Sequence, residues 1–441
     1  MNTKLKISLL GGISVIFLFF SSCKKQIEDN NLQEEFKKSH VIALPVALKK
    51  LDVLLSEIEG NTKSRRRSSA SVDNVIVLGK DGLNNKNKKS HGNDTLLYIV
   101  EFEDDMGCAV LSADYRIGID VFAITDRGSL LDHQEPPISM IDTSIFINED
   151  GYEDYYCYGA SIGSSLLNNI QIVAIQRRDL LDPVDHLNGA IGTTIKTIVR
   201  PLLKTLWQQY SPFNNKCPKF GAYRAPAGCV AIALAQIMAY HEYPTNPLAN
   251  QPSSWNWTGV KEIYKLGTLS PSLYSGSEID RNSVATFVHD IGEDCNMTYS
   301  IGGSGATFYR AKQCLKHYGY KNVHATYCET GFSTNENNKI INSLNNGCPV
   351  YMRGRNKSGG HAWVIDGYIH RITIDGKYLY HCNFGWSGED NGYYVAEIHN
   401  AEFNTASGPD VTDPAYGDRN DNPDGYNFVK KFAIITYNKP N

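Results

Sequence analysis

The stretch APAGCVAIALAQIMAYHEYP, residues 225–244, decides how this chain is read. Residues 229–243 run for fifteen positions without Gly or Pro and with one charge, Glu242. Ala, Leu, Ile, Met and Gln at that density predict a helix, and Pro226-Ala227-Gly228 predicts a turn before it. Cys229 therefore stands at the first helical position. There the unbonded N–H groups and aligned peptide dipoles favour an anion, so a thiol loses its proton more readily and becomes nucleophilic. Gly228 leaves room for a substrate carbonyl, and the Cys229 amide is a candidate donor to the oxyanion formed on it. A buried thiol capping a core helix fits the same residues, and this segment alone leaves both readings open.

A nucleophilic thiol needs a base. His241 is nearest in sequence, but twelve residues of helix put it about 18 Å away. His361, in GGHAWVIDG (359–367), is the better candidate: Gly359 and Gly360 permit close backbone approach, and the apolar strand after the ring holds it. A lone histidine entering a strand is also an ordinary core residue. The segment HCNFGW (381–386) follows about twenty residues later, within reach if the two pair as a hairpin. It offers the Asn383 amide to orient the imidazole and Trp386 to shield that bond from water. His381 is a rival base, but a mid-strand place among bulky neighbours reads as structural. Upstream, WQQYSPFN (207–214) supplies a side-chain amide for an oxyanion.

The whole chain has 441 residues, 41% hydrophobic and 20% charged, enough for one large core or two to three ordinary ones. A net charge of −4, with no basic stripe interleaved by aromatics, argues against nucleic acid as a partner. Arg65-Arg66-Arg67 lies in a Ser/Asn-rich stretch and reads as an exposed linker. At the N-terminus, Lys4 and Lys6 precede an apolar run, Ile7 to Phe20, that ends in Ser21-Ser22-Cys23. The run is shorter than the roughly 20 residues a membrane span needs, and the pattern is that of an export signal. Its small-small-Cys ending resembles a bacterial lipobox, with Cys23 as the lipidated residue. That predicts an exported protein, held at a membrane by the lipid anchor or secreted. Nine further cysteines are an odd number, so at least one thiol stays out of any intrachain disulfide. No CxxC pair or Cys/His cluster has zinc spacing, so neither a metal nor another cofactor is expected.

Residues 24–60 carry apolar positions at helical spacing, with a possible break at Pro45. A short strand is expected at Val75 to Leu78, and LLYIVEF, GCAVLSA and IGIDVFAIT read as strands of a small antiparallel sheet. Helical periodicity returns over 151–200, and Arg177-Arg178 and Lys196 are candidate cleavage sites between two units. Beyond Pro201 come the Cys229 helix, a Trp255-Asn256-Trp257 segment, helices near 284–292 and 306–318, a Gly302–Gly305 loop and finally β-rich segments.

Taken together, four ordered segments resemble the streptopain family of papain-like cysteine peptidases. They are Gln209–Asn214, Ala227–Pro244, Gly359–Gly367 and Asn383–Gly388. The resemblance implies an α+β fold: a papain-like two-lobe peptidase, with a helical lobe and an antiparallel β-rich lobe, preceded by a small α+β prodomain. With the lipoprotein-type export signal at 1–23 set aside, it implies an inhibitor-like prodomain at 24–190 and a catalytic domain at 191–441. Gly107–Asp114 resembles a segment of the family's prodomain. Carried over by position, Cys229 is the nucleophile, His361 the general base and acid, and Gln209 the oxyanion donor. Asn383 and Trp386 support the histidine. Gly228, Gly303, Ser304, Gly305 and Gly360 border the substrate groove. Phe384 stands where the family commonly has Trp; it keeps aromatic cover but lacks the indole N–H. The implied partners are protein or peptide substrates and the chain's own prodomain acting as an inhibitor. Two other functions suit the same residues: an amidase or transpeptidase acting on cell-wall peptides, and a catalytically dead binding protein.

Overall fold

A computed structural model describes residues 40–59, 67–79, 95–131, 146–147, 149, 151, 153–154, 156–157, 163–180, 194–245, 256–262, 276–328, 332–355, 360–372, 376–399 and 430–440. The export segment, Cys23, Trp255 and Gly359 lie outside these residues. In chain order the first elements are α1 (Leu44–Glu59), β1 (Val72–Gly79), β2 (Thr95–Phe102), β3 (Cys108–Ser112) and β4 (Val121–Thr125). The short strands β5 (Phe146–Ile147), β6 (Glu153–Asp154) and β7 (Tyr156–Cys157) follow, then α2 (Gly163–Leu180) and β8 (Ile195–Val199). The next set is β9 (Lys219–Phe220), β10 (Tyr223–Arg224), α3 (Cys229–His241), α4 (Trp257–Glu262), α5 (Glu278–Asp294), β11 (Ala306–Thr307) and α6 (Phe308–His317). The chain closes with β12 (Lys321–Cys328), α7 (Thr334–Asn345), β13 (Val350–Arg355), β14 (Gly360–Arg371), β15 (Tyr378–Asn383), β16 (Gly392–Val395) and β17 (Lys430–Asn438).

The strand expected at 75–78 is the longer β1. Leu97 and Ile99 of β2 enter one core while Tyr98 and Val100 enter another, the two-residue alternation of a strand covered on both faces. α1 covers one face through Leu51, Leu54, Leu55 and Ile58, and α2 covers the other through Leu166, Ile170, Val173 and Ala174. Pro45 does not break α1. It lies in the first turn, where its missing N–H has no intrahelical partner to lose.

Among the described residues, thirteen strands form a single sheet whose main path is β1-β2-β3-β4-β16-β15-β14-β13-β17-β12. The small N-terminal sheet and the C-terminal β lobe thus meet edge to edge, with Gly392, Tyr393 and Tyr394 of β16 opposite Thr125, Ile124 and Ala123 of β4. Joining two edges satisfies backbone groups that would otherwise face solvent. On the other side of the C-terminal lobe, α3, α5 and α6 enclose a separate helical core with Trp207, Phe213 and Ala362. The architecture is the α+β arrangement expected, with a helical lobe, an antiparallel lobe and an N-terminal α+β unit.

Two basic sites differ from their sequence reading. Arg177 and Arg178 are buried on α2, and Arg177 Nε donates to the Ile117 carbonyl at 2.8 Å, so neither is open to a protease here. Lys196 is exposed on β8. Arg67 is no loose linker residue either: it pairs with Glu59 at 2.6 Å and donates to the Thr125 carbonyl.

The seam between the two halves carries buried charge. His381 of β15 contacts Asp366 of β14 through Nδ1 at 2.5 Å and Asp126, just after β4, through Nε2 at 2.9 Å. Burial opposes the imidazolium, but the two carboxylates outweigh it and raise the His381 pKa from 6.5 to about 10. Nearby, Arg371 of β14 pairs with Asp120 at 2.6 Å. The folded state therefore binds the His381 proton more tightly than the unfolded chain does. The resulting stability is complete below pH 6.5 and is lost as pH rises through about 10. Asp126 is about a third exposed, which screens the pair. Asp126→Asn is expected to destabilise the full chain by about 1–2 kcal/mol at neutral pH, with the difference from wild type shrinking toward pH 10. Denaturant unfolding across that range checks both the sign and the window.

Candidate active site

Apart from Gln236, α3 is apolar on every side from Val230 to Ala239, and every residue from Cys229 to Ala239 is buried. Such a helix belongs inside a core, and it lies between α5 and strand β14, which carries His361. The N-cap, Gly228, has φ 89° and ψ 139° and supplies no capping side chain. Its positive φ suits glycine, and a Cβ there would stand 2.7 Å from the Ser304 carbonyl oxygen and 3.0 Å from Met297 Sδ. The Gly302–Gly305 loop is thereby pressed against the turn before Cys229, held in shape by Thr298–Gly305 pairing and by Ser300 Oγ donating to the Gly303 carbonyl at 2.6 Å.

Gln209 meets the same turn from the other side. Its carbonyl accepts from Ala227 N at 2.7 Å, and Asn214 Nδ2 donates to the Ala225 carbonyl at 3.0 Å. Gln209 is buried, yet its Nε2 has no hydrogen-bond partner among the described residues. A buried amide donor left unpaired costs about 1–3 kcal/mol, so its retention beside the Cys229 turn calls for a ligand oxygen. The Ser304 hydroxyl, fully buried in the opposing loop, is likewise without a partner among the described residues.

His361 is fully buried at the start of β14. Trp363 and Trp386 lie nearly parallel to its ring, with centroids 6.0 and 6.1 Å away. Its Nε2 lies 3.0 Å from the Phe384 carbonyl. A carbonyl only accepts, so Nε2 carries the hydrogen and Nδ1 keeps the lone pair, which makes Nδ1 the basic nitrogen. Burial pulls the His361 pKa down to about 3, with the carbonyl working against that shift, so the ring is neutral at pH 7.

The expected role of Asn383 needs correcting. Its Oδ1 accepts from Gln236 Nε2 at 3.1 Å and Gly385 N at 3.2 Å, and its Nδ2 donates to the Thr205 carbonyl at 2.9 Å. The group that orients the ring is the main-chain carbonyl one residue later. Trp386 lies nearly parallel to the ring. The rivals are also resolved: His241 sits at the far end of α3 against the Tyr437 hydroxyl at 3.1 Å, and His381 is the ion-paired seam residue. The eight cysteines at 108, 217, 229, 295, 314, 328, 348 and 382 are buried and carry thiols, not disulfides. Gln236 and Asp366 escaped sequence reasoning, although Gln236 is the only polar residue between Val230 and Ala239. A lone amide in an apolar helix signals a buried partner.

Strand β7 completes the surroundings. Cys157 pairs with Gly360 in parallel and with Ala306 in antiparallel fashion, so an N-terminal segment bridges the loop beside Gly228 and the residue before His361. Gly228→Ala should lower stability by about 1–3 kcal/mol, because positive φ and a clash with backbone coincide. Gly221→Ala, at φ 66° with nothing within 4 Å of the added carbon, should lose only about 1 kcal/mol. Denaturant unfolding of the two variants side by side checks the difference.

Residues 207–394 match the Peptidase C10 family. Streptopain of Streptococcus pyogenes is 30% identical over 237 residues, covering 46% of this chain and 58% of its own, so the chain spans somewhat over half the length of that relative. The thiol protease/hemagglutinin PrtT of Porphyromonas gingivalis is 28% identical over 251 residues, covering 52% of this chain and 28% of its own. In fold, a fragment of Prevotella intermedia prointerpain A matches with a TM-score of 0.50 at 22% identity, covering 82% of this chain and 99% of that one. The stretch 207–394 that matches the Peptidase C10 family spans all four motif segments, at 209–214, 227–244, 359–367 and 383–388.

Proposed function

We propose that the chain is the precursor of an exported cysteine endopeptidase, with Cys229 as nucleophile and His361 as base. The observation that carries this reading is the buried Gln209 Nε2, unpartnered among the described residues, on a residue whose main chain bonds the turn before Cys229. A donor held ready without a partner is what stabilising a transient oxyanion requires. In the proposed cycle the Cys229 proton passes to His361 Nδ1 and the thiolate adds to the scissile carbonyl carbon. Gln209 Nε2 and the Cys229 N–H bind the oxygen that becomes negative. His361 returns its proton to the amine as the C–N bond breaks, leaving a thioester. Water, deprotonated by His361, then releases the acid and restores the thiol. The Gly303–Gly305 loop and Gly360 would flank an extended peptide substrate, since β7 pairs with β11 and with Gly360 as a strand.

That β7 belongs to the N-terminal half supports a latent precursor, with 24–190 as the inhibitory prodomain and 191–441 as the catalytic domain. While the ring stays buried, a pKa of about 3 leaves little imidazolium to pair with a thiolate at neutral pH. Removing the covering strand lets water reach the ring and makes the ion pair accessible. The export signal at 1–23 and lipidation at Cys23 belong to the same proposal, which puts the enzyme at a membrane surface or outside the cell.

Cys229→Ala should abolish casein hydrolysis by the processed chain and leave its unfolding transition unchanged; residual turnover at the wild-type rate would exclude Cys229 as the nucleophile. Gln209→Ala should lower kcat by about 10²–10³-fold, read from steady-state kinetics on a peptide substrate.

A further inference from the structure

Gln236 has no part in the acyl-transfer steps, yet it is fully buried and both ends of its amide are engaged. It lies two turns along α3 from Cys229. Its Oε1 accepts from Thr205 Oγ1 at 2.7 Å, and its Nε2 donates to Asn383 Oδ1 at 3.1 Å. The same Asn383 oxygen accepts from Gly385 N at 3.2 Å. That N–H and the Phe384 carbonyl belong to one peptide group, and the carbonyl is the acceptor for His361 Nε2 at 3.0 Å. The loop is also pressed onto the helix: a Cβ on Gly385, at φ 72°, would stand 3.0 Å from Ile232 Cγ2.

A trans peptide is planar, and its N–H and C=O point in opposite directions. Anchoring the Gly385 N–H on Asn383 therefore aims the Phe384 carbonyl at the ring. A donor bonded at one end of a peptide also strengthens the acceptor at the other, because hydrogen bonds in a chain polarise one another. We propose that Gln236 is a positioning residue. Through Asn383 and the Phe384–Gly385 peptide, it fixes the carbonyl that orients His361 relative to the helix that begins at Cys229. The proposal rests on the Cys229–His361 reading. In that reading the ring becomes positively charged when the thiolate forms, and the carbonyl stabilises that charge. A carbonyl turned away leaves the imidazolium less stable, so the thiolate forms only at higher pH.

The test uses enzyme obtained by processing the full chain. Gln236→Met keeps an unbranched side chain of similar length but neither accepts from Thr205 nor donates to Asn383. Gln236→Glu keeps the acceptor toward Thr205 and faces Asn383 Oδ1 with a carboxylate oxygen. For either variant, kcat should fall by about 10- to 100-fold, with KM within about twofold. The acid limb of Cys229 alkylation by iodoacetamide should move up by about one pH unit. Thr205→Val, which leaves the Gln236–Asn383 bond in place, should change kcat by less than about threefold. Folded Gln236 variants with wild-type kcat and an unmoved alkylation profile would overturn the proposal, whatever their loss of thermal stability. Failure of both variants to fold would mark the residue as purely structural and overturn it too. If alkylating Cys229 in the wild type leaves peptide hydrolysis intact, it is the Cys229–His361 reading that fails. Loss of hydrolysis on alkylation, beside unaffected Gln236 variants, refutes the positioning role alone.

Discussion

Burial of α3 is the constraint on which the rest of the structure depends. A helix whose residues from Cys229 to Ala239 are all sequestered from water cannot sit on a surface. It must be enclosed, and α5, α6 and β14 enclose it. Enclosure fixes the position of the helix N-terminus, and with it the turn Ala225–Gly228 that delivers Cys229. Every other contact at the site is made against that fixed end. Gln209 and Asn214 hold the turn from one side, and the Gly302–Gly305 loop closes on it from the other. The one polar residue in the buried helix, Gln236, then has to find partners inside the core, and it finds them on the segments that bracket the histidine.

The electrostatics of the site follow from the same burial. In a dry interior a neutral imidazole is strongly favoured over its charged form, and the Phe384 carbonyl at Nε2 settles which nitrogen carries the hydrogen. A second buried histidine, on β15, meets the opposite outcome for a clear reason. His381 has carboxylates at both ring nitrogens, and two opposite charges at hydrogen-bond distance outweigh desolvation. The two side chains, twenty residues apart in the chain, thus differ because of what the fold places against them, not because of their neighbours in the chain.

The edge-to-edge joining of β4 and β16 makes the N-terminal unit an extension of the C-terminal sheet. Backbone pairing across the seam is supplemented by Arg371–Asp120 and by His381, which joins Asp366 of its own half to Asp126 of the other. The seam and the β7 bridge lie on different parts of β14 and its neighbours, so the N-terminal half holds the lobe at its sheet edge and at the site together.

Much was legible in the sequence. Helix-forming composition located α3, and strand-length apolar runs located most of the N-terminal strands, while the α+β class came from the family resemblance. Cys229 at a helix start and the rejection of His241 followed from rise per residue. The residues themselves offered His361 and Trp386, and the resemblance gave Gln209 its role; Trp386 lies nearly parallel to the His361 ring, and the Gln209 main chain bonds the turn before Cys229. The role given to Asn383 was wrong in its partner, since a side-chain label says nothing about whether the amide or the next main-chain carbonyl will face the ring. Arg177, Arg178 and Arg67 looked exposed because charge predicts surface on average, whereas these three are covered or paired by residues distant in sequence. The sequence by itself determined most helices and N-terminal strands and which side chains can do chemistry, because these depend on neighbours within a few residues; β7 and β8, inside the stretch 151–200 read as helical, form by pairing with strands far along the chain. Only the tertiary structure decided the tautomer of His361, the charge of His381 and the partners of Gln236. Each of those depends on groups brought within hydrogen-bond distance from far along the chain, at a low dielectric that folding alone creates.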